Sequence, residues 1–133
     1  YVDTFLGAQF IGHTMSPWLQ DADVLTVDES ALTAHLPQRW RIEHEEWYAF
    51  DRNPRQTGAK VLLAMDDESY LTAESWLGPD VSMPGEHAIA WSRAIGKGRM
   101  IYSAIGHTSN TYALPAYQEF VANSVNAMLE RLQ

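Results

Sequence analysis

The sequence predicts an α/β domain, and three observations carry that expectation. Lys60 to Met65 is a nearly continuous apolar run with the length of a strand covered on both faces. The segment opened by Pro115 repeats apolar residues at three- and four-residue steps, the period of a helix lying on a sheet. Two copies of one tripeptide, Gly12-His13-Thr14 and Gly106-His107-Thr108, each follow an apolar run, Phe5 to Ile11 and Met100 to Ile105. The ligand crevice of an α/β sheet lies beyond the carboxyl ends of its strands, so His13 and His107 are the first candidates for a site.

The elements follow in order. In Tyr1 to Gly7, apolar positions 2, 5 and 6 share a helical face and Gly7 sits where helices stop, which reads as the end of a helix already under way. Asp23 to Val27 is a short β-branched run, and Ser30 is placed to cap a short helix through Leu36 before Pro37 ends it. His44 to Phe50 alternates weakly, as a strand or an extended edge does. Asp51-Arg52-Asn53-Pro54-Arg55 is turn chemistry, and the strand from Lys60 should be central. Asp66 to Glu86, with Gly78-Pro79 and Pro84-Gly85, reads as a long surface excursion. Ala88 to Arg93 and Arg99 to Ile105 flank Gly96-Lys97-Gly98 and predict an antiparallel hairpin. The last helix carries Tyr117, Phe120, Val121, Val125, Met128, Leu129 and Leu132.

Composition narrows the function. A chain of 133 residues with 46% hydrophobic and 20% charged residues reads as a single globular domain, 1–133. Seventeen acidic against nine basic side chains give a formal charge of −8, which repels nucleic acid and anionic lipid alike. No apolar stretch approaches the ~20 residues of a membrane helix. The absence of cysteine excludes a thiol nucleophile and thiolate metal ligands within this chain. Neither a phosphate-binding glycine loop nor a His-Glu-x-x-His helix is present, so a metal would need ligands from separate strand ends.

Such ligands exist. His13, His107 and one carboxylate from Glu43, Glu45 or Glu46 could hold a divalent ion with positions open to substrate; the alternative is that both histidines are hydrogen-bonded turn residues. Asp66-Asp67-Glu68 follows the central strand, where a carboxylate could bind metal or abstract a proton, or simply form a solvated turn. His35, His44 and His87 are read as structural or exposed. Five tryptophans and six tyrosines suit sugar rings, although core packing alone would use most of them.

Taken together, Glu45 to Arg55, Val61-Leu62-Leu63, Asp67-Glu68-Ser69-Tyr70, Gly98-Arg99 and Tyr102 to Thr108 run in the order seen in trehalose-utilisation (ThuA-like) proteins, and the chain resembles them from about Phe5 to its last helix. The resemblance implies a flavodoxin-like fold of the class I glutamine amidotransferase superfamily, a mixed, mostly parallel sheet with flanking helices, here without the N-terminal half. It also implies a role in sugar catabolism, with a site drawn from His13, Glu46 and His107, and it does not imply a glutaminase. The family often has His-Pro where this chain has His13-Thr14 and His87-Ala88, which alters the backbone after each imidazole. Such domains occur both inside bacterial cells and in exported multidomain proteins.

The expected function is therefore metal-assisted processing of a sugar or keto sugar. His13, Glu46 and His107 would hold the metal, His107 and Glu46 would do the chemistry, and Asp67 would handle protons. Two alternatives stand beside it: a non-catalytic carbohydrate-binding or interaction module, and a half-domain that completes itself against its missing N-terminal half or a second copy.

Overall fold

The computed structural model describes residues 1–73 and 80–129. Seven strands form two sheets: β1 (Phe10–His13), β2 (Gln20–Thr26), β3 (Arg39–Glu45), β4 (Tyr48–Phe50), β5 (Lys60–Met65), β6 (His87–Ile95) and β7 (Gly98–Ser103). A five-stranded sheet runs β3-β2-β5-β6-β7, and β1 and β4 pair as a separate ribbon. Among the described residues, helix is confined to a single π-type turn at Val2–Leu6, a 3-10 turn at Pro54–Thr57, the four-residue α1 (Ser109–Tyr112) and α2 (Pro115–Leu129). Among the described residues, no helix is long and apolar enough to cross a membrane.

Every strand pairing among the described residues is antiparallel. This corrects the expectation of a mostly parallel, flavodoxin-like sheet with flanking helices. A parallel neighbour requires a crossover of a dozen or more residues, usually a helix. Here β2 and β3 are joined by a segment that makes only turns at 31–35, and β6 and β7 by the two-residue loop Gly96-Lys97. The continuous apolarity of β5 is real, since Val61 to Met65 are all buried at the centre of the sheet. Continuous apolarity reports burial on two faces and carries no information about strand direction.

The two faces of β5 are covered differently. Leu62 lines one hollow with Leu32 and Ala127, on the side of α2. Val61 pairs across the ladder with Trp91, whose ring meets Phe50 of β4 edge-on and stacks on Tyr102. Several local expectations hold. Gly7 closes the first turn with a φ of 98°, Gly96 supplies a φ of 56° to the β6–β7 loop, and Pro115 opens α2. Ser30 stabilises its turn by accepting from the Leu32 N–H at 3.3 Å, but no helix follows. Tyr117 and Phe120 of α2 are buried, whereas Val121, Val125, Met128 and Leu129 face outward. Leu132 and Gly78-Pro79 lie outside the described residues.

Candidate functional site

A bulge builds the site. Strand period alone would put Ile42, His44 and Glu46 on one face. Between Gln20↔Glu45 and Ala22↔Ile42, however, β3 carries one residue more than β2, and His44 absorbs it with a φ of 56° while its N–H donates to Asp21 at 2.9 Å. Glu45 therefore turns inward with Ile42, and the chain crosses to β4 with Glu45, Glu46 and Trp47 all buried.

Glu45 is an anchor. Its carboxylate accepts backbone N–H groups from Gly106 at 3.2 Å, His107 at 3.0 Å and Thr108 at 3.2 Å, as well as the Thr111 hydroxyl and the N–H of Glu46 at 2.8 Å. These donors satisfy a fully buried charge and fix the second Gly-His-Thr step beside β3. The loop needs Gly106, whose φ is 114°.

Glu46 is the centre. Its side chain is 7% exposed and lies between two imidazoles, with His13 Nδ1 3.9 Å from Oε2 and His107 Nδ1 3.7 Å from Oε1. The indole N–H of Trp18 donates to Oε2. The Trp18 ring meets that of His107 edge-on at 5.4 Å, and the His13 ring stacks on Phe10 at 6.2 Å. The two imidazoles are about one-third exposed and so face solvent from either side of a buried carboxylate. Thr14 secures this corner, its N–H donating to the Trp47 carbonyl at 2.9 Å and its hydroxyl to the Trp18 carbonyl at 2.6 Å. Proline at position 14 would have no N–H for the first of these bonds.

A hollow of about 380 Å³ opens beside His107, lined also by Tyr48, Tyr102, Tyr112 and Gly106. Burial, reinforced by the negative charge of Glu46, pushes the Tyr48 phenol up to about 12. Burial also raises Tyr102. Both phenols are therefore neutral hydrogen-bonding groups at physiological pH.

The structure thus brings His13, Glu46 and His107 together and leaves Asp67 elsewhere. Asp67 binds His87 Nδ1 at 2.5 Å, the Tyr70 hydroxyl at 3.2 Å and the Met83 N–H at 2.8 Å. Glu43 is exposed on β3. His35 docks its turn on α2 through the Ala116 carbonyl at 3.0 Å. Trp18 and Tyr48 escaped sequence reasoning, because an isolated Trp in a loop and a Tyr in a short strand carry no pattern. The Glu45-Glu46 pair was the available signal.

A three-ligand metal centre needs free lone pairs converging on one point at about 2.0–2.2 Å. Here His13 Nδ1 is 2.9 Å from the Thr14 carbonyl, which only an N–H satisfies, and one Glu46 oxygen is taken by Trp18. Among the described residues no group of three His, Asp or Glu side chains converges in that way. As arranged, these donors form a hydrogen-bonded constellation rather than a cation cage.

Fold and site together define an antiparallel sheet domain with a His–Glu–His cleft walled by aromatic rings. The family model described as ThuA, trehalose utilisation, matches residues 1–126, and the chain belongs to that family. This membership sets the chain in a carbohydrate-related context. The crystal structure of a ThuA-like protein from Bacteroides uniformis is similar, with a TM-score of 0.71 at 24% identity, covering 93% of this chain and 48% of that one. The chain therefore spans about half the length of that relative. No curated protein sequence matches the chain.

Proposed function

We propose that this domain binds a sugar, free or oxidised to a keto sugar, in the cleft beside Glu46, and that Glu46 moves a proton on it. The observation that carries the reading is a buried carboxylate flanked by two partly exposed imidazoles, one of which, His107, lines an aromatic hollow. Trp18 and the tyrosines offer flat apolar faces to a sugar ring and polar edges to its hydroxyls. An imidazole N–H at the rim hydrogen-bonds the substrate carbonyl oxygen. Glu46 then takes the proton from the adjacent carbon; the C–H electron pair forms the new C=C bond and the carbonyl π pair moves onto the oxygen held by the imidazole N–H. The burial of Glu46 excludes competing water from that carboxylate.

Solvent deuterium tests this step. Incubation of a keto sugar with the protein in D2O should place deuterium on the carbon next to the carbonyl, and Glu46→Gln should slow incorporation by about 10²–10⁴-fold. Incorporation that is absent from the wild type, or unchanged in Glu46→Gln, overturns the proposal. A second reading, a sugar-binding module without turnover, draws support from the tyrosine-lined hollow, which can hold a sugar ring without any chemistry on it. Sugar binding that survives Glu46→Gln with no incorporation by either protein favours that module.

A further inference from the structure

Among the described residues, the ribbon that carries the site has an edge no strand covers. On either side of β4 the backbone groups of Trp47 and Asp51 face the β1 segment, since Thr14 N–H donates to the Trp47 carbonyl and Asp51 N–H to the Gln9 carbonyl, each at 2.9 Å. The alternate residues, Tyr48 and Phe50, therefore turn their backbone groups to the opposite side. Among the described residues no strand pairs there. Two side chains take its place. His87 Nε2 lies 2.8 Å from the Tyr48 carbonyl, and the Phe50 N–H donates to Met83 Sδ at 3.4 Å.

Both of these side chains lead to Asp67. Its Oδ1 is 2.5 Å from His87 Nδ1, and its Oδ2 accepts the backbone N–H of Met83 at 2.8 Å. The His87 ring is 1% exposed and its tautomer is constrained by these contacts. The Tyr48 carbonyl and the Asp67 carboxylate both accept, so one hydrogen stands on Nε2 and another lies between Nδ1 and the carboxylate. Within β4, Tyr48 stands opposite His13 in the ribbon ladder and lines the same hollow as His107. Asp67, two residues past the end of β5, thus reaches the site through His87 and the β4 backbone.

We infer that Asp67 and His87 are positioning residues for the site: they hold the open edge of β4 and so set where Tyr48 and His13 stand relative to Glu46. In its consequence for ligand binding, this inference rests on the sugar-site reading above. The placement of His13 itself does not depend on that reading.

The test compares His87→Gln, which keeps an N–H for the Tyr48 carbonyl, with His87→Leu, which does not. Long-range 1H–15N spectra of the imidazoles and titration with trehalose are the readouts. The expected result is that His87→Leu shifts the ring signals of His13 and weakens trehalose binding by about tenfold or more, while His87→Gln stays within about twofold of wild type. A core variant of matched stability loss, Leu32→Ala, should leave the His13 signals in place. Should His87→Leu fail to fold, Asp67→Asn supplies the same comparison. Equal behaviour of the Gln and Leu variants, or His13 signals that move just as much in Leu32→Ala, overturns the inference. A wild type that binds no sugar while His13 still shifts in His87→Leu removes the sugar-site reading and leaves the positioning role standing.

Discussion

The carboxylate of Glu45 accepts the backbone N–H of His107 at 3.0 Å, so a residue of β3 sets the position of an imidazole more than sixty positions later in the chain. The two neighbouring acids therefore divide their work: Glu45 spends its charge on backbone donors, and Glu46 presents its own between two rings. This division makes Glu45 the structural residue of the pair.

Glu45→Gln should then destabilise the fold by about 3 kcal/mol, because an amide cannot accept the same set of donors and turns an N–H toward them. Chemical denaturation measures this loss. Amide exchange should speed up first at Gly106, His107 and Thr108.

Gly106→Ala should cost about 1–3 kcal/mol through backbone strain at a φ of 114°. A Cβ there would lie 2.6 Å from the Tyr112 hydroxyl oxygen, but that ring is half exposed and can swing aside, so the backbone sets the cost. Thermal unfolding checks the value, and the variant should also lose the edge-on contact of His107 with Trp18.

Trp18→Phe keeps a ring over His107 and removes the indole N–H from Glu46. Because Trp18 is half exposed, stability should change by less than about 1 kcal/mol. Sugar binding should weaken by about tenfold, the usual order for a hydrogen bond to a charged group. Calorimetric titration separates the two effects.

The Tyr48 phenol makes a pH prediction with a definite sign. Its folded value is raised to about 12, chiefly by burial and next by Glu46, above an unfolded value of about 10. The folded state therefore holds this proton more tightly than the unfolded state does. The stability it contributes is complete below the unfolded value and is lost as pH rises through the folded one. Ultraviolet titration of phenolate should show a late wave, shared with the other buried tyrosines, that Tyr48→Phe diminishes by one group. The same substitution should flatten the alkaline fall in stability.

Much of this arrangement could be read from residues alone. Gly7, Gly96 and Pro115 mark their turns and helix start through backbone chemistry that acts locally, and the buried run of β5 reports its central position. Strand direction escaped, because it is set by connections rather than by strand composition, and the connections here hold turns where a parallel sheet would need helices. At the site, His13 and His107 announced themselves by their repeated tripeptide. Residues alone left Glu43, Glu45 and Glu46 open and only the family resemblance pointed to Glu46, because the burial of Glu45 and Glu46 turns on a single-residue bulge at His44, a φ of 56° that no periodicity reveals. Asp67 looked like a free acid after a central strand. Its partner His87 lies twenty positions away, and only the β5–β6 pairing brings the two together.

The most direct test of the account is a titration of the wild-type protein with trehalose, glucose and a keto sugar, followed through the ring signals of its five histidines. His13 and His107 should shift together and saturate with one of these sugars, while His35 in the turn docked on α2 and His44 on the outer face of β3 stay unchanged. Saturating sugar that leaves His13 and His107 unmoved, or that moves His35 or His44 instead, would contradict the assignment of the Glu46 cleft as the sugar site.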